Sequence, residues 1–144
     1  MKVSAKTEYA CIAMLELAAH YGSGEPVRIR RIAERHNVPP RFLVQILLQL
    51  KGAGLVASVR GAGGGYRLIK PPESVSLGQV MGAVNSAAEG GVSATSASPD
   101  SPAVKVLIQA WQEVDAAQRK MLESISLAEL SERAKGQNDK MYFI

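Results

Sequence analysis

Beyond Ser4, a residue suited to cap a helix, the apolar positions Tyr9, Ala10, Ile12, Ala13, Met14, Leu15, Leu17 and Ala18 lie nearly all round a helical wheel. A helix of this kind has little solvent face and is expected to be mostly buried, with Gly22 closing it. After the turn-rich YGSGEP, residues 27–36 put Ile29, Ile32 and Ala33 on one side and Arg28, Arg31 and Arg35 on others, and Asn37 offers a left-handed stop. Pro39-Pro40 opens a third helix with a core stripe of Phe42, Leu43, Ile46, Leu47 and Leu50, closed by Gly52 and Gly54. Two short helices about Asn37-Val38-Pro39 make a helix-turn-helix candidate. The strand-like LVASVR and YRLIK flank the open turn RGAGGG and predict a β-hairpin, the order of elements in a winged helix. Ser76 and Gln79 form a capping box for a further short helix.

From Ser86 to Ala103, fourteen of eighteen residues are Ser, Ala, Gly or Pro, a composition expected to give a flexible loop. Ser101-Pro102 then caps a long helix in which Val104, Leu107, Ile108, Trp111, Val114, Met121, Leu122 and Ile125 recur every three or four residues. The domain ahead of it has its own core, so this stripe reads as a helix–helix dimer seam. Ser126 and Glu129 cap a last short helix expected to stop at Gly136. The fold class is therefore mainly α with a small β-hairpin wing. Residues 1–85 are expected to form a winged helix-turn-helix domain of the DNA-binding kind, 86–103 a flexible loop, and 104–144 the dimerisation helix with its short C-terminal helix.

Composition changes this picture little. At 144 residues, 47% hydrophobic and 21% charged, the chain is of single-domain size and is neither collagen-like, mucin-like nor wholly disordered. The one cysteine, Cys11, cannot form an intramolecular disulfide or alone build a thiolate metal site. No apolar run of membrane-spanning length occurs, and a cytoplasmic protein with no membrane partner is expected. Charge adds more. Residues 1–70 carry four Lys and seven Arg against four acids, +7, whereas residues 71–144 carry six bases against nine acids, −3. A basic N-terminal half suits a polyanion.

A recognition helix must turn polar or small side chains away from its core stripe, and the outward positions here are Arg41, Val44, Gln45 and Leu48. Arg41 suits the paired acceptors of guanine, Gln45 the acceptor and donor of adenine, and Val44 a thymine methyl, whereas Leu48 reads as a packing residue. At the hairpin tip, Gly61, Gly63, Gly64 and Gly65 remove side chains between Arg60 and Arg67, so that backbone can approach a sugar–phosphate wall. Arg60 stands where it can enter a narrow minor groove, and Arg28 and Arg67 are placed to meet phosphates. A glycine loop that cradles a nucleotide leads from strand into helix, and this one leads into a strand instead. Cys11 reads as packing. His20 and His36 each end a helix and suggest no metal site, and no acid, base and nucleophile arrangement suggests an enzyme.

The stretch SAKTEYACIAMLELA, followed by PVRIRRIAERHNVPPRFLVQILLQLKGAGLVASVRGAGGGYRLIKPPESVSLGQVMGAV, closely resembles the bacterial winged-helix regulator family that includes IscR, NsrR and CymR. The resemblance covers roughly residues 1–85, the long helix and ISLAEL fit its remainder, and its most specific piece is GLVASVRGAGGGYRL. It implies a homodimeric transcription regulator on double-stranded DNA, each recognition helix in a major groove and each wing in the adjacent minor groove. By position Arg41, Val44 and Gln45 fall on the family's base-reading surface, Arg60 on its minor-groove arginine and Tyr66 on its wing. Val44 stands where IscR-like members carry an acid. Cluster-binding members carry three cysteines before the long helix, where VSATSASPDSPAVKVLIQAW has none, and Glu8, a ligand position in some members, has no thiolates to join. No cofactor is expected.

The resulting expectation is a repressor-type homodimer on a pseudo-palindromic operator, its cue a small molecule, a protein partner or no signal at all, with the terminal MYFI buried against its own dimer. The alternative is a protein-interaction or small-ligand-sensing module whose DNA binding is weak.

Overall fold

The computed structural model describes residues 1–85 and 100–142, so the expected flexible loop falls almost wholly outside the described residues. Helix α1 (Ala5–Ala19) begins at Ser4, whose Oγ accepts the Thr7 amide at 3.2 Å. Its apolar wheel is explained by its position at the centre, packed against four other helices and the hairpin. Ala10, Ala13, Met14, Leu17 and Ala18 are buried. The helix ends at Ala19 on a His20 cap, before Gly22, which adopts the left-handed φ of 83° in the following turn.

Helix α2 (Ile29–His36) ends where Asn37 adopts a left-handed φ of 54°, and α3 (Pro40–Gly52) starts on Pro40. Ile32, Ala33, Val38, Leu43, Ile46, Leu47 and Leu50 bury the facing sides of this pair. Phe42 departs from the expected core stripe: it is 41% exposed. It lies at the edge of the stripe, one residue before Leu43, where a large ring spans core and solvent.

Strands β1 (Val56–Val59) and β2 (Gly65–Leu68) pair antiparallel, Val56 opposite Leu68 and Val59 opposite Gly65. Val27, just before α2, joins β2 through two hydrogen bonds of 2.8 Å with Tyr66, one in each direction. This close approach requires Gly65, since a Cβ there would run into the Val27 carbonyl. The Gly64 amide donates to the Gly61 carbonyl at 3.0 Å to close the tip, and a Cβ on Gly64 would strike the Val59 carbonyl.

Helix α4 (Leu77–Val84) carries the expected capping box in both directions between Ser76 and Gln79. The Thr7 hydroxyl donates to Asn85 Oδ1 at 2.7 Å, tying the end of α4 to the start of α1. Helix α5 (Pro102–Ser124) has no buried residue. Its last turn meets α4 at Gly78, where a Cβ would come within 3.3 Å of Glu123 and Leu122. The chain then turns back: the Leu77 amide donates to the Ile125 carbonyl and the Leu127 amide to the Val75 carbonyl.

Helix α6 (Leu127–Tyr142) packs on α1 and on the 3₁₀ turn Pro72–Ser74. It is not the short helix expected to stop at Gly136. Nothing holds Gly136 in a left-handed conformation, and a glycine within a helix costs only about 1 kcal/mol relative to alanine. The terminal MYFI, expected to bury in a dimer, lies outside the residues whose side chains are described. Among the described residues, every buried apolar side chain except Leu127 precedes residue 85, which leaves α5 outside the core.

Candidate nucleic-acid interface

Burial of Leu43, Ile46, Leu47 and Leu50 turns the other side of α3 to solvent, and there the structure sets Arg41, Val44, Gln45 and Leu48 along one exposed face. Leu48, expected to pack, is 56% exposed and belongs to this face because it follows Val44 by one helical turn. The Arg41 guanidinium stands over the Phe42 ring, 5.1 Å from its centroid. Lys51 Nζ donates to Ser58 Oγ at 2.9 Å, so the end of α3 is hydrogen-bonded to the wing.

In the wing, Arg60 is exposed at the end of β1, Arg67 is exposed on β2, and Gly63 is exposed with open space around it. Tyr66 is half-buried and holds the bridge to Val27. Arg28 is the N-cap residue of α2 and directly follows that bridge. The bridge thus joins β2, two residues past the tip glycine Gly64, to the start of the helix-turn-helix.

The ion pairs divide the chain's nine arginines. Arg30, Arg31, Arg35, Arg119 and Arg133 each pair with a carboxylate. Among the described residues Arg28, Arg41, Arg60 and Arg67 have no such partner, and these are the four arginines that the sequence assigns to DNA. An unpaired guanidinium keeps all its donors and its full charge for a phosphate or a base edge.

Within α2, Arg30 pairs with Glu34 one turn on, and sequence reasoning missed what withdraws Arg31 and Arg35. Glu16 of α1 is buried, its side chain only 3% exposed, and His36 Nε2 at 2.9 Å and Arg35 Nε at 3.2 Å reach its Oε1. His20 Nδ1 at 3.4 Å and Arg31 Nε at 3.6 Å approach Oε2, which has no hydrogen-bond partner among the described residues. Burial pushes the Glu16 pKa up, but the His36 hydrogen bond and the charges of Arg35, His20 and His36 outweigh it and hold the carboxyl below its ordinary value. One polar position, Glu16 amid the apolar wheel of α1, was the signal available in the sequence.

On α5, Leu107, Trp111, Val114 and Met121 are exposed, between 44% and 62%, while Val104, Ile108 and Leu122 are half-buried. Residues 104, 107, 111, 114, 118 and 121 follow alternating steps of three and four, the spacing of a two-helix seam, with Gln118 as its one polar member.

Residues 3–133 match the family model Rrf2, described as "Iron-dependent Transcriptional regulator". The chain is 46% identical over 85 residues to the transcriptional regulator IscR of Aliivibrio salmonicida, a match covering 59% of the chain and 50% of that protein. The chain thus spans about half the length of this relative. It is 33% identical over 144 residues to the transcriptional regulator CymR of Bacillus subtilis, covering 99% of both. The solved structure of that CymR, a "Global Cysteine Regulator", superposes with a TM-score of 0.76 at 31% identity over 92% of this chain and 98% of that one. That of T. potens IscR gives 0.75 at 34% identity, covering 93% and 88%.

Iron is the group that the family description implies, and the donor set here does not fit it. Cys11 is the chain's one thiol, half-buried in α1, with its pKa pushed up to about 11 by burial and by the charge of Glu8, so it is protonated at neutral pH. Among the described residues no three His, Cys, Asp or Glu side chains are grouped to hold a metal ion. Residues 86–99 add one carboxylate, Glu89, and no thiolate or imidazole.

Proposed function

The chain belongs to the Rrf2 family of transcriptional regulators, and we propose that this DNA-binding member is a cytoplasmic homodimeric repressor of a pseudo-palindromic operator. The family is one of regulators, not of enzymes. The observation that carries the reading is the sorting of the arginines. Arg28, Arg41, Arg60 and Arg67 remain without carboxylate partners on α3, the wing and the start of α2, while ion pairs occupy the others.

In this reading residues 1–85 are the DNA-binding unit. Arg41, Val44 and Gln45 read base edges in the major groove. Arg60 enters the adjacent minor groove, where a narrow groove concentrates negative potential. Gly63 and Tyr66 bring wing backbone to the sugar–phosphate wall, and Arg28 and Arg67 neutralise phosphates. Residues 104–144 carry the dimer contact, a second α5 covering Leu107, Trp111, Val114 and Met121 together with Val104, Ile108 and Leu122. Two heads joined in this way meet two half-sites, and an occupied operator excludes polymerase from its promoter. The cue is a small molecule or a protein partner, since the donor set for a cluster is missing.

The test is selection of bound duplexes from a random pool with purified protein, alongside Arg60→Ala. A two-fold-symmetric motif whose A/T-rich flank preference disappears in the variant is the expected result. Absence of any enriched motif with the unaltered protein would leave the interaction-module alternative in its place.

A further inference from the structure

Phe42 sits between two partners. Its ring lies 5.8 Å from that of Tyr9 on α1, centroid to centroid, at an interplanar angle of 43°, and the Arg41 guanidinium stands 5.1 Å from its centroid. Tyr9 is half-buried against the core, so the platform is anchored in the central helix. Phe42 itself is 41% exposed, so part of its ring faces solvent beside Arg41.

An arginine on the first turn of a helix normally samples many rotamers, and bidentate reading of guanine needs its planar fork held in one plane. An aromatic surface attracts the guanidinium and leaves its in-plane N–H groups free to donate. Among the described residues Arg41 has no carboxylate to pull the fork elsewhere. We propose that Tyr9 and Phe42 form a stacking platform that orients Arg41, making Phe42 a positioning residue for base selection. This rests on the DNA-binding reading above and adds to it a residue that acts through Arg41. Phe42 holds the fork, Tyr9 holds the ring, and α1 takes part in base selection through them.

The experiment profiles the intact protein and four variants, Arg41→Ala, Phe42→Leu, Phe42→Tyr and Phe42→Leu with Arg41→Ala, against a random duplex pool. Thermal melting of each variant separates orientation from folding. The expected result is one base-pair position whose preference Arg41→Ala abolishes and Phe42→Leu weakens about three- to fivefold, the share an exposed cation–π contact supplies. Phe42→Tyr restores the preference, and Phe42→Leu changes nothing further once Arg41 is gone. Other positions and the salt dependence of Phe42→Leu stay unchanged.

Uniform weakening of all sequences by Phe42→Leu, or a preference that survives it intact, overturns the platform while leaving DNA binding standing. If Phe42→Leu still alters the profile in the Arg41→Ala background, the ring does not act through Arg41 and the platform is likewise overturned. A pool from which the unaltered protein enriches nothing overturns the DNA-binding reading itself, and the platform with it.

Discussion

Glu16 shows how one buried side chain allocates charge on the surface. A buried carboxylate must be paired, and this one is approached by Arg31, Arg35, His20 and His36, clamping α2 to α1. Its carboxyl is held below the ordinary value, so the stability it contributes is complete above the unfolded-state pKa and is lost as pH falls through the lowered folded value. Glu16→Gln is expected to lower stability at neutral pH by about 2 kcal/mol, the scale of a charge-assisted hydrogen bond. It should also flatten the acid limb of a melting-temperature profile, and an unchanged limb would assign that limb to other groups. The base-reading candidates were legible in the sequence because a helical period exposes Arg41, Val44 and Gln45. Of the Glu16 cluster only His20 lies at helical spacing from it; Arg31, Arg35 and His36 are fifteen to twenty residues on, and only the packing of α2 on α1 brings them to that carboxylate.

The elements whose ends carry local chemistry were read correctly from sequence. The left-handed Asn37, Pro40 at the first turn of α3 and the Ser76 capping box all depend on a residue and its near neighbours. Long-range contacts set the rest. The length of α6 exceeds what Gly136 suggested, since Gly136 does not adopt the left-handed conformation that would stop the helix. A Cβ at position 136 meets nothing within 4 Å, so Gly136→Ala is expected to stabilise by about 0.5–1 kcal/mol, read as a raised denaturation midpoint with an unaltered slope. Gly65 is the opposite case. With φ of 148° and the Val27 carbonyl in the path of any Cβ, Gly65→Ala should cost about 1–3 kcal/mol. It should also loosen the wing, detected as faster amide exchange at Val27 and Tyr66. Unchanged exchange there would mean that the bridge tolerates the added methyl.

At the scale of the whole molecule, a core confined almost wholly to the first 85 residues leaves α5 with large apolar side chains in water. No helix among the described residues is long and apolar enough to cross a membrane. The proposed dimer would cover these side chains with a second α5. Trp111→Glu is expected to give monomers by analytical ultracentrifugation, and because two linked heads bind far more tightly than one, operator affinity should fall at least tenfold. A dimer that survives would move the interface off this helix. For the unaltered protein, each phosphate neutralised contributes about 0.9 to the slope of log affinity against log salt, so Arg28 and Arg67 of both protomers of the proposed dimer, with their lysine neighbours, predict a steep slope.

The bridge between Val27 and Tyr66 also bears on the geometry of the operator. Because it fastens the wing to the helix-turn-helix, in the proposed complex the base pairs under α3 and the groove under the wing tip would keep a fixed phase. One inserted base pair between them rotates the second patch by about 34° around the duplex axis, given roughly 10.5 pairs per turn. A wing hydrogen-bonded next to its tip has little slack to follow that rotation. Half-sites of the proposed operator are therefore expected to vary in sequence far more readily than in length.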